Sequence, residues 1–167
     1  MVVTGAGCAS GKAGRSKGAD QQSHVTASAE ALEYLRSFSR EQQEHLGAMH
    51  DSRPVWGAHG EAIEYADFLD QKGPEVLRIV EQRLPAEQRG PYRRAQARVE
   101  AAIAKEQRQI EEEAADNEGG TLAKLIRHEG RRMPMRHRLS ALSQWIAFLP
   151  PELQPELRSI CARTAKD

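Results

Sequence analysis

The chain has 167 residues, with 24 lysines and arginines against 24 aspartates and glutamates, a length that allows one core and excludes two comfortable ones. With no net charge there is no global field to draw it onto nucleic acid or a membrane, so an electrostatic partner must be met by a local patch. No apolar run approaches the ~18 to 20 residues of a spanning helix, and "MVVTGAGCAS" lacks a secretory apolar stretch, so a soluble protein with at most peripheral membrane contact is expected.

Residues 1–23 hold five of the thirteen glycines and almost no large side chain. Such a stretch cannot bury enough apolar surface to offset its ordering entropy and reads as a disordered tail. The opening resembles a phosphate loop only superficially: Ala6 stands where a Walker A glycine belongs, and Ala13 follows Lys12 where serine or threonine is required. Cys8 in this tail and Cys161 in an amphipathic segment are the only cysteines, a poor pair for a staple, which fits a reducing compartment.

From residue 24 onward a single domain is expected, built from helices. Ala31, Leu35, Phe38, Leu46 and Met49 form one apolar stripe, with Ser39 and Gln42 as a capping box that restarts or bends the helix. "DSRPVWG" ends it. Ala62, Tyr65, Ala66 and Leu69 make the next face, stopped by "KGP"; Val76, Val80 and Leu84 follow, stopped by "LPAEQRGP". The longest helix is expected over 91–116, along Tyr92, Ala95, Val99, Ile103 and Ile110, with "DNEGG" ending it. Leu122, Leu125 and Ile126 open another, which Pro134 is expected to break because proline supplies no amide and crowds the preceding turn. Leu139, Leu142, Ile146 and Leu149 form the most regular apolar face, and Leu153, Leu157, Ile160 and Cys161 the last. No alternating strand appears. The fold class is therefore all-α: an antiparallel bundle of about six or seven helices, with the helix over 91–116 as its spine.

Catalytic chemistry finds no constellation. Cys161 lies on an apolar helix face, where a thiol is usually inert. Glu44, His45, His50, Asp51, His59 and Glu61 fall close together, but no pair has the spacing that puts two metal ligands on one helical face. No enzyme activity, metal or other cofactor is expected.

The stretch "RHEGRRMPMRHR", residues 127–138, holds five arginines against Glu129. The acidic run 111–118, with five carboxylates at the negative end of the preceding helix, can neutralise only its near end. Arg127 can fold back on Glu112 or Glu113, whereas Arg131, Arg132, Arg136 and Arg138 lie at the far end of the helix, ~15–25 Å away from the acidic end at 1.5 Å per residue, beyond a Debye length. With Met133 and Met135 flanking Pro134 in an exposed corner, these arginines suit phosphate or carboxylate. A bundle tip of this kind resembles the helical-bundle membrane-localisation domains of bacterial toxins and secreted effectors, and the tail resembles a type III export signal. The resemblance implies that Arg131, Arg132, Met133, Met135, Arg136 and Arg138 face anionic phospholipid head groups, joined by Arg53 and Trp56 from a second tip. It also implies a site on the host-cell cytoplasmic face of a membrane for an exported effector; otherwise the bacterial cytoplasm is expected. The leading expectation is thus a non-enzymatic module binding an anionic surface. The alternative is a protein-interaction bundle docking an acidic partner, and the third a nucleic-acid-binding regulator, which zero net charge and the lack of interleaved aromatics disfavour.

Overall fold

The computed structural model describes residues 26–51, 58–116 and 120–165, and among these the side chains of residues 50, 51, 58–63, 128, 129 and 132 lie outside the description. All regular structure in the described residues is helical: α1 (Ala29–Asp51), α2 (Ala58–Arg83), α3 (Ala86–Asp116), α4 (Thr121–Ser140), a 3-10 stretch over Ala141–Phe148, a 3-10 turn over Pro151–Leu153, and α5 (Gln154–Thr164). The expected tail, residues 1–23, lies outside the described residues.

The Ser28 hydroxyl accepts the Ala31 amide at 3.2 Å and so caps α1. No restart occurs at Ser39 and Gln42. The helix is continuous there because residue 42 falls on the same stripe as Ala31, Leu35 and Phe38, and the Gln42 side chain is fully buried rather than turned back as a cap. Phe38 stacks on Phe68 with ring centroids 5.4 Å apart, and the Tyr34 hydroxyl donates to the Lys72 carbonyl at 3.1 Å, which fixes α1 and α2 as antiparallel.

"KGP" does not end a helix, since α2 runs through Pro74; α2 does end at the start of "LPAEQRGP", but α3 begins at Ala86 and runs through Pro91 instead of starting there. An interior proline costs about 3 kcal/mol. In α2 that is offset by Val76, Ile79 and Val80, all buried just beyond it at about 1.5–3 kcal/mol each. The true break is Leu84–Pro85, where Arg89 donates to the Leu84 and Gln82 carbonyls, each at 3.0 Å, and closes the end of α2.

The spine is α4, not α3. Packing against α3, α2 and α5 makes α4 the middle of the bundle, whereas α2 and α3 barely approach each other. Helix α4 also runs through Pro134, contrary to the expected break, because Met135 and Leu139 on the next turn both enter the core and outweigh the proline. Close approach comes through glycine on both sides. A Cβ on Gly73 of α2 would collide with the Met135 sulfur, and one on Gly130 of α4 would fall 3.1 Å from Ile110 of α3.

One core cluster joins all of these elements, from Leu35 and Phe38 through Leu69 and Val80 to Leu139. The expected face Leu142, Ile146 and Leu149 is buried, as are Leu153, Leu157, Ile160 and Cys161. Helix α5 runs antiparallel to α4 and parallel to α1, with the Cys161 thiol donating to the Leu139 carbonyl at 3.1 Å and Ser39 meeting Ser159 at 3.4 Å. Trp145 sits edge-on to Tyr92, while Phe148 is 45% exposed.

Candidate functional site

The basic stretch is not an open corner. Met135, only 4% exposed, lies against Gly73. Arg138 forks onto Glu100, with nitrogen–oxygen distances of 2.6 and 2.8 Å. The Glu100 carboxyl is held below the usual range by these hydrogen bonds. Arg136 donates through Nε to the Thr164 carbonyl at 2.8 Å, meeting the last turn of α5 where guanidinium complements the helix dipole. Met133 is half-buried. Only Arg131 keeps the expected exposure without an ion pair among the described residues. The Arg132 side chain, and both Arg53 and Trp56, lie outside the described residues. Arg127 is exposed and makes no ion pair among the described residues.

Physically, the corner fails because residues 135, 139 and 142 continue one apolar stripe through the proline. That stripe is a signal the sequence carries, and it outweighs the stop that proline signals locally. Two clefts form in its place.

The larger, about 550 Å³, opens between α2 and α3 over α4. Its apolar lining is Pro74, Leu77, Tyr92 and Met135; its polar lining is Arg78, Glu81, Arg93, Gln96, Glu100 and Arg138. Each arginine is held by a glutamate: Arg78 by Glu75, through a fork that includes a 2.8 Å bond, Arg93 by Glu81 at 2.6 Å, and Arg138 by Glu100. Exposed pairs of this kind contribute ~0–1 kcal/mol, so their main effect is to fix guanidinium positions. Each fork still has unused N–H donors. The buried Gln96 amide nitrogen has no hydrogen-bond partner among the described residues. The Tyr92 hydroxyl is pushed to a higher pKa by burial and by nearby Glu81, which keeps it a neutral donor. Sequence reading missed this groove, since nothing local places Leu77 beside Tyr92 and Met135.

The smaller cleft, about 490 Å³, lies among α3, α4 and the end of α5 and includes Met133 and Arg136.

Of the residues weighed as metal ligands, Glu44 is exposed and His45 stacks on Phe68 at 4.4 Å; His50, Asp51, His59 and Glu61 have side chains outside the description. Among the described residues no group of three histidine, cysteine, aspartate or glutamate side chains converges as a metal site. Nor is any described helix long and apolar enough to cross a membrane. The Cys161 thiol is pushed up to about 11 by burial, the reverse of what a nucleophile requires. No protein family, curated protein or solved structure matches the chain.

Proposed function

We propose that the chain is a protein-interaction bundle whose α2–α3 groove docks a short, acidic, amphipathic helical segment of a partner. The observation that carries this reading is the packing: α2 and α3 each rest on α4 far more than on each other, touching through the Arg93–Glu81 pair, which leaves a trough with an apolar floor and three positioned guanidinium groups. Residues 92–100 wall it over about 12 Å, or roughly two helical turns. Apolar side chains at i and i+4 of an occupant meet the exposed Pro74 and the half-buried Leu77, and its carboxylates take the spare donors of Arg78, Arg93 and Arg138. An interface this small falls below the size of stable complexes and implies transient, micromolar or weaker binding.

The phospholipid reading of the basic stretch has less support, because Met135 belongs to the core and Arg136 and Arg138 are directed to different neighbours rather than to one surface.

Fluorescence anisotropy with a labelled helical peptide, leucine at i and i+4 and glutamate elsewhere, tests the groove. The acidic peptide is expected to bind and a lysine-for-glutamate version to bind at least about tenfold more weakly, the loss of one or two charge-assisted contacts. Leu77→Asp is expected to abolish the difference. Equal binding of both peptides, or flotation of the protein on anionic vesicles with neither peptide bound, contradicts the reading.

A further inference from the structure

The smaller cleft holds three residues of the basic stretch that remain accessible, Met133, Arg136 and His137, beside Ser140 and Ile110. It lies on the face of α4 turned toward α3, away from the α2–α3 groove.

The chemistry here is divided. On one side Ile110 and Met133 supply an apolar wall, with Ile110 seated against Gly130. On the other side Arg136 is tethered by a single nitrogen: Nε donates to Thr164, and its two terminal nitrogens have no partner among the described residues. The end of α5 does not consume the rest of that charge. The Thr164 hydroxyl already donates to the Ile160 and Cys161 carbonyls, each at 3.1 Å, and the Ala165 amide donates to Cys161 at 3.2 Å. His137 presents Nδ1 to the Glu106 carboxylate at 3.8 Å, which leaves its other ring nitrogen, with the Ser140 hydroxyl, available to a ligand. Among the described residues Glu106 is the carboxylate nearest this set, and it lies against His137 rather than Arg136.

We propose that this cleft binds a small amphipathic anion: a carboxylate or phosphate monoester whose oxygens take the terminal nitrogens of Arg136 and whose short aliphatic tail lies on Met133 and Ile110. A volume near 490 Å³ suits a ligand of that size. Bidentate guanidinium contact suits either anion. The site is independent of the α2–α3 groove, and either can fail without the other.

The test is an NMR titration of the full chain, reading the Met133 methyl and the His137 ring, with octanoate, octyl phosphate, inorganic phosphate and octanol as probes. Octanoate or octyl phosphate is expected to bind saturably at both reporters. Inorganic phosphate and octanol, each lacking one half of the chemistry, are expected to bind at least about tenfold more weakly. Arg136→Gln is expected to remove the preference for anion over octanol, while Met133→Asn, which leaves the α5 contact intact, removes the preference for octyl phosphate over inorganic phosphate. Octanol binding as tightly as octanoate overturns the anion contact, inorganic phosphate binding as tightly as octyl phosphate overturns the apolar wall, and no saturable shift with any probe overturns the site.

Discussion

Gly47 and Gly73 both occupy helix interiors, where glycine is worth about 1 kcal/mol less than alanine, yet their surroundings differ. A Cβ at Gly47 meets nothing within 4 Å, whereas at Gly73 it lands inside the Met135 side chain. Gly47→Ala is expected to stabilise by about 0.5–1 kcal/mol in urea denaturation. Gly73→Ala is expected to destabilise by about 1–2 kcal/mol, since overpacking costs ~1–3 kcal/mol and exceeds the gain in propensity. A double-mutant cycle with Met135→Ala is expected to recover part of that loss; strict additivity would remove Met135 as the cause. Gln42 tells the complementary story. Its carboxamide is fully buried and neither polar atom has a hydrogen-bond partner among the described residues, so Gln42→Met, which keeps the shape, is expected to stabilise by about 1–3 kcal/mol. A destabilised Gln42→Met would show that the carboxamide is satisfied in solution. The Arg138–Glu100 fork has a pH signature. Glu100 is depressed from its usual 4.5, and a depressed acid contributes stability that is present above the unfolded value and lost as pH falls through the folded one. The stability advantage of the natural chain over Glu100→Gln is therefore expected at neutral pH and to vanish on acidification below about 4.5; a gap that persists in acid assigns the effect to packing.

Helix positions were legible where apolar spacing spoke alone, as at Leu139, Leu142, Ile146 and Leu149, and misread where proline intervened. Pro74, Pro91 and Pro134 all lie inside helices, and each was expected to mark a boundary. Proline's local penalty is a few kcal/mol, and it is decided against by burial that only the assembled fold supplies: Val76 and Val80 beyond Pro74, Met135 and Leu139 beyond Pro134. Pro85, which does follow the end of α2, comes after a leucine whose carbonyl is answered by Arg89, a side chain five residues on. Pro134→Ala distinguishes the two descriptions of α4. In a continuous helix it is expected to stabilise by about 1–3 kcal/mol, through the restored amide and relieved crowding. At a chain corner it would be neutral or destabilising.

Together the helices make α4 the shared neighbour of α2, α3 and α5, and this arrangement decides which surfaces remain for binding. The all-α bundle could be read from periodicity, but the candidate sites could not. The basic stretch looked like one patch because its arginines are consecutive in sequence; on a helix buried by three neighbours they point to different places, Arg138 to Glu100 and Arg136 to Thr164. The groove, conversely, joins Leu77, Tyr92 and Met135 from three helices, and no local pattern foretells that. Methyl and aromatic NMR shifts mapped during titration with the acidic helical peptide address the groove directly. Saturable shifts at Leu77, Tyr92 and Met135, with Met133 and Ile110 unmoved, are the expected result. Shifts confined to Arg131, Met133 and their neighbours, or spread evenly over the surface, would contradict docking between α2 and α3.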